Sequence, residues 1–352
     1  MFHTTQRKPR RWPLVLRITK GSIHGTVLPT VLFHCLFTSL IVSIDLYVHP
    51  VGLPGTIVPS LSIVVGLMLV FRNGSSYDRF WTGRNHLTGI VTSVRNLTRY
   101  FLVSSRDAKD QSSEGENADT EATVRVLIAV LYAVKHNLRA EFSSTAVTAP
   151  GTPVALLRSG AQTPKMPTNL SQLQSEPLSE SVSTLRPEYS DLLPRAHTTL
   201  EDQGLAMPVQ LAVSVEAYVR RGLIRGWWAP PQAGYISGQL SNLVTSYGAM
   251  ETIRHTPIPV AHLIHARQVL ALYLMVLPFA MVEEMTWWAI PVVALVAFTL
   301  YGIEGIGSQL EDPFGYDKND IKMDAIVEDA RLECDALLVE WRNKDSELFN
   351  CA

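Results

Sequence analysis

Residues 262–306 read HLIHARQVLALYLMVLPFAMVEEMTWWAIPVVALVAFTLYGIEGI. Two apolar runs, about 262–282 and about 285–306, meet at Glu283-Glu284. A helix of roughly 20 apolar residues, rising about 1.5 Å per residue, crosses the roughly 30 Å hydrocarbon core of a bilayer. The link between the runs is too short for anything but an antiparallel hairpin. Trp287 and Trp288 lie beside the turn, at the level where an interfacial aromatic belt belongs. The stretch therefore reads as two membrane spans joined at one face of a bilayer.

A second apolar pair lies towards the N-terminus. Residues 28–48 form one run, with Asp45 near its end as the one acid. A turn rich in Pro and Gly, 49–55, leads to a shorter run, 56–71, that carries Pro59, Ser60, Ser62 and Gly66. A short, interrupted apolar helix is poorly suited to face lipid and better suited to a bundle interior, where neighbours or water satisfy its backbone. The expected fold is an all-α integral membrane protein with four spans, in two hairpins at 28–71 and 262–306.

Hydrophobic residues make up 47% of the chain, an ordinary average that hides a strong segregation of apolar runs from charged stretches. Residues 1–27 form a basic arm with Arg7, Lys8, Arg10, Arg11, Arg17 and Lys20 and no acid up to Lys20. Residues 72–261 are polar, with helical periodicity at 77–103, 121–142, 209–226 and 235–254. Two insertions, about 104–120 and 143–208, are rich in Ser, Asp, Glu, Gln, Pro and Thr and are expected to be disordered. Trp227-Trp228-Ala229-Pro230-Pro231 breaks the helical pattern between them and the second hairpin. Residues 307–352 begin with an acidic turn and end in an amphipathic helix, about 321–348.

The links 48–56 and 282–285 contain no Lys or Arg, whereas the N-terminal arm and the flank Arg72, Arg79, Arg84 and Arg95 are basic. The positive-inside rule then places both termini and the large middle region in the cytosol. A net charge of −2 argues against a nucleic-acid partner. Cys35, Cys334 and Cys351 are few, odd in number and without metal-ligand spacing. The first apolar run starts too late and is too long for a secretory signal. No phosphate-binding loop, zinc-protease motif or nucleophile elbow occurs, so no enzyme is expected.

Two stretches are more specific. Phe71-Arg72-Asn73-Gly74-Ser75-Ser76-Tyr77-Asp78-Arg79-Phe80-Trp81-Thr82-Gly83-Arg84 follows the second run. Ile303-Glu304-Gly305-Ile306-Gly307, then Leu310-Glu311-Asp312-Pro313-Phe314-Gly315-Tyr316-Asp317 and Asn319-Asp320, follow the fourth. In content and placement both resemble the bestrophins, and especially their microbial and fungal branch. The resemblance covers most of the chain outside the two insertions. It implies a homopentamer of all-α subunits around one pore, passing chloride or other monovalent anions without any required cofactor. Some bacterial members pass cations, so a cation channel of the same architecture is the alternative. A non-conducting membrane scaffold is a second one.

The resemblance also assigns candidate residues. Ile63, Leu67 and Phe71, spaced by four, share one slowly drifting helix face and would line an apolar pore neck. The plainer reading makes them core or lipid contacts. Gln309, Asp312, Asp317 and Asp320 match the positions of a calcium clasp in animal bestrophins, and calcium favours such oxygen ligands. The plainer reading is helix capping, with Asp320 capping the tail helix. Arg72, Asn73, Tyr77, Asp78, Arg79 and Arg84 either attract anions to a cytosolic vestibule or pair locally, with residues such as Asp78. His262, His265 and Arg267 open the third run, and Glu283 and Glu284 are expected at the outer mouth.

Overall fold

The computed structural model describes residues 23–107, 114–141, 144–145, 184–189, 191–193, 200–201, 204–343 and 348–349. Residues 1–22, which hold all the Lys and Arg of the basic arm, and Cys351 lie outside them. The chain divides into two compact units: Met1–Tyr100 with Pro231–Ala352, and Phe101–Pro230.

The first unit holds α1 (His24–Tyr47), most of α2 (Ile57–Asp107) and α5 (Pro230–His255), then α6 (Val260–Met285), α7 (Ala289–Leu310) and α8 (Met323–Arg342). Its apolar core joins Val27 and Val31 of α1, Val65 and Leu69 of α2, Leu270, Tyr273, Leu274 and Leu277 of α6, and Val293 and Ala297 of α7. These are the inward positions of otherwise apolar helices; Leu28, Leu32, Phe33 and Leu36 of α1 remain exposed. A helix apolar on all sides with only one side covered by its own chain is suited to lipid or to another subunit.

The links between the apolar helices gather at one end. Asp45 accepts a hydrogen bond from the Val51 amide (2.9 Å), and the Leu53 amide donates to the Phe279 carbonyl of α6 (2.8 Å). Gly52 lies under the Glu283 side chain, where any Cβ would collide with it. Between α6 and α7 the chain reverses through a 3-10 turn, Thr286–Trp288, with Thr286 at φ 45°. At the opposite end Ile23 lies against Gly305 and Arg72 of α2 reaches Glu304 of α7. Among the described residues, three helical stretches are long and apolar enough to cross a membrane: His24–Tyr47, part of Ile57–Ser105, and Val260–Leu310, which contains the reversal at Thr286.

Helix α2 departs from expectation. The second apolar run and the periodic stretch that follows form one helix of 51 residues, about 75 Å long at 1.5 Å per residue. Beyond Pro59 it contains no proline, so nothing interrupts its backbone hydrogen bonds.

The second unit is built on α3 (Glu114–Leu138) packed against α4 (Met207–Ile224). Here the disorder expected for 104–120 is corrected at both edges: 104–107 continue α2 and 114–120 open α3. Tertiary anchors hold the second turn of α3. Thr120 shares a hydrogen bond with the Tyr218 hydroxyl (2.8 Å), and Asp119 pairs with Arg221 (2.7 Å). The reading of 143–208 as loop is corrected in part as well. Ser144–Thr145 pairs antiparallel with Thr184–Leu185, Pro187–Tyr189 forms a 3-10 turn, and Tyr189, Leu192 and Leu193 are buried. Residues 146–183 lie outside the described residues. The expected break after α4 is present: Gly226 adopts φ 76°. Trp228 folds back over Gly222 and donates its indole N–H to the Val219 carbonyl (3.2 Å).

Candidate functional site

The first half of α2 has two unlike sides. Val65, Leu69, Arg72 and Ser76 are buried, and their spacing of three to four residues puts them on one stripe. Ile63, Leu67 and Phe71 fall elsewhere on the helix and are 72%, 56% and 62% exposed. All three neck candidates therefore point away from the core of their own chain. Packing within the subunit does not explain them; water, lipid or another subunit must cover them.

Arg72, next in sequence to Phe71, is 2% exposed. Its Nη2 lies 3.3 Å from Glu304 and 3.6 Å from Glu311. Glu304 is shared with Arg267 of α6 (2.9 Å), which also donates to Ser308 (3.3 Å). The buried arginine is thus neutralised by α7 and its C-cap, not by Asp78 on its own helix, which is exposed. Arg79, two turns further, does different work. It donates to the carbonyls of Ile253 (2.6 Å), Thr256 (2.7 Å) and Glu311 (3.0 Å). Those carbonyls end α5 and α7, where the last turns of a helix lack internal donors and a cation is favoured.

The two sequence stretches singled out above meet in space. Gly307 abuts Asn73, where a Cβ would stand 3.2 Å from the amide oxygen. Gly83 abuts buried Phe314, where a Cβ would stand 2.8 Å from the ring. Small residues at these points let α7 and the turn after it approach α2 closely. Arg84 donates to Thr88 on its own helix (2.9 Å), and Tyr77 is exposed.

The acidic turn between α7 and α8 is occupied by its own contacts. Gln309 accepts from Asn319 (2.7 Å), and Asp312 pairs with Arg254 (2.7 Å). Asp320, buried, accepts from the Asp317 amide (2.8 Å). It does not cap α8, whose N-cap is Lys322 with no side-chain hydrogen bond, so the capping expectation is corrected: Asp320 braces the turn instead. Among the described residues no three His, Cys, Asp or Glu side chains converge so as to hold a metal ion.

His262 and His265 are exposed, as are Glu283 and Glu284. Cys35 is half-buried. Cys334 is buried 3.7 Å from the Thr98 hydroxyl, and burial pushes its thiol up to about 11, so it is an inert packing residue. Two histidines escaped the sequence reading. His34 in α1 is 2% exposed and shares a hydrogen bond with the Tyr301 hydroxyl of α7 (3.2 Å); an ionisable residue inside an apolar run was the available signal. In the second unit His136 shares one with buried Tyr189 (2.9 Å). Burial first, then Lys135, Arg186 and Arg139, push it down to about 4 despite Glu188. Nothing local in the sequence pointed to it.

Comparison with known proteins agrees with this geometry. A model of the bacterial and fungal bestrophin proteins matches residues 3–336. A voltage-dependent anion channel-forming protein of Nostoc sp. is 33% identical over 93% of this chain and 92% of its own length. Its counterpart in Synechocystis sp. is 30% identical over 96% and 94%. Among solved structures, a point variant of a bacterial bestrophin homologue from Klebsiella pneumoniae superposes with a TM-score of 0.65 at 20% identity, covering 91% of this chain and 100% of that one. A crystal structure described only as a membrane protein variant gives 0.67 at 21%, covering 89% and 98%.

Proposed function

The chain belongs to the bacterial and fungal bestrophin family, and we propose that it is the subunit of a homopentameric channel passing chloride and other monovalent anions down their gradient. It is a membrane protein of all-α fold and not an enzyme. In this reading α1, the first part of α2, α6 and α7 are four spans, with both termini in the cytosol. Its 33% identity to a protein named for forming an anion channel supports the anion reading. The single observation that carries the reading is the outward-facing apolar stripe Ile63, Leu67 and Phe71, each more than half exposed in the lone subunit.

Five copies around an axis would stack these side chains into apolar rings about 6 Å apart. A narrow apolar ring sheds water, and an ion entering it loses hydration without gaining ligands. The neck then closes by dewetting and conducts when it widens. A calcium role for Gln309, Asp312, Asp317 and Asp320 would set the cation in competition with Arg254 for Asp312, whereas Asp320 could keep the Asp317 amide and still ligate, since a carboxylate offers about four acceptor sites.

A cation channel of the same architecture is the second reading. What favours it is the neutralisation of Arg72 by Glu304 and Glu311, which removes one charge from the basic flank. Purified protein in a planar bilayer under a chloride gradient decides between them. A reversal potential that follows chloride supports the anion reading, and one that follows sodium or potassium replaces it. Protein that assembles and never conducts points to a scaffold.

A further inference from the structure

Phe71 and Arg72 are neighbours in sequence with opposite surroundings: 62% and 2% exposed. Successive residues of a helix point about 100° apart. Whatever holds Arg72 inward therefore decides where Phe71 points. Val65 and Leu69 share the inward stripe with Arg72, but apolar attraction has no direction. Those contacts alone tolerate some rotation of α2 about its axis.

The ion pairs do not. Glu304 and Glu311 flank the guanidinium from one helix, about two turns apart. Glu304 is itself held by Arg267 from α6. None of the three guanidinium nitrogens of Arg72 makes a hydrogen bond, so these two carboxylates are its partners among the described residues. Rotating α2 would leave a buried cation uncompensated, which is far more costly than losing an apolar contact. On the adjoining side Asn73 rests against Gly307, which brings α7 close enough for its carboxylates to reach.

We propose that Arg72, with Glu304 and Glu311, is a positioning device: it sets the rotation of α2 about its own axis and so turns Ile63, Leu67 and Phe71 out of the subunit and towards the pore. The proposal rests on the reading of those three residues as the neck. It assigns Arg72 no contact with the permeating ion.

Cysteine labelling of the assembled protein in liposomes tests it, after Cys35, Cys334 and Cys351 are replaced by alanine. Leu69→Cys and Phe71→Cys are compared for their rates of modification by a small uncharged methanethiosulfonate, which can enter an apolar ring that excludes ions. In the parent, Phe71→Cys is expected to react faster. Adding Glu304→Gln with Glu311→Gln should lower the rate ratio, position 71 over position 69, roughly tenfold, because the buried guanidinium loses both of its ion-pair partners. Arg72→Lys retains the charge and should stay close to the parent ratio. If the double variant does not assemble, Glu311→Gln alone should lower the ratio roughly threefold. A ratio unchanged while melting temperature falls means that the network only stabilises, and overturns the proposal. A parent in which Phe71→Cys does not react overturns the neck reading itself. Labelling requires no current, so failure to conduct bears on the channel reading alone.

Discussion

Arg79 shows how one side chain serves two helix ends. Its three nitrogens bond the carbonyls of Ile253, Thr256 and Glu311, groups that would otherwise be left without donors. Arg79→Ala is expected to cost about 3 kcal/mol, since hydrogen bonds from a charged donor are worth more than neutral ones. Thermal unfolding in detergent checks this, and a melting temperature equal to wild type would show that the carbonyls find other donors. At His136 the sign of the pH effect follows from burial. The unfolded residue takes a proton near its ordinary 6.5, while the folded one refuses it until about 4. Between those values the unfolded chain binds more protons. Stability of the second unit is therefore expected to fall as pH drops from about 6.5 to about 4, and to be insensitive to this residue above that window. Hydrogen exchange of the amides in α3 at pH 7 and pH 5 measures it. His136→Gln should flatten the dependence, and a slope that survives the substitution assigns it to another group.

Helix α2 is where sequence and mechanism meet. It is continuous over 51 residues, so the proposed neck and the polar stretch beyond it belong to one rigid element. Its outward apolar residues contribute little to folding of the lone subunit, because their own chain does not cover them. Replacing Ile63, Leu67 and Phe71 together by alanine should consequently leave the subunit folded. The neck should widen and wet, raising the resting open fraction roughly tenfold or more with little change in anion-to-cation ratio. Single-channel recording reads both quantities. A triple variant that gates and conducts like wild type would return these residues to lipid or subunit contacts. The fusion of two expected segments into one helix also has a legible cause. The polar stretch Arg72–Arg84 contains no proline, and its change from apolar to polar marks a change of surroundings, not of backbone.

For the whole molecule, the decisive quantity is the number of copies. Apolar helices with only one side covered by their own chain, and the exposed stripe proposed as the neck, call for a covering that the lone subunit does not supply. The detergent-solubilised protein is expected to run as a pentamer in light scattering, and a strict monomer would remove the channel reading. The apolar runs, their hairpin link and the all-helical class were legible in the sequence alone, because span length and helical period are local properties of the chain. The motifs Phe71–Arg84 and Ile303–Asp320 were visible too, but not what they do for each other. The anchors that hold 114–120 and 184–189 were hidden for the same reason: Thr120 and His136 find Tyr218 and Tyr189 far along the chain. Only the tertiary structure decided that Arg72 is a neutralised internal charge and Phe71 an outward one. That distinction depends on how α2 is rotated against α7, which is set by carboxylates more than 200 residues away in sequence, and no local pattern encodes it.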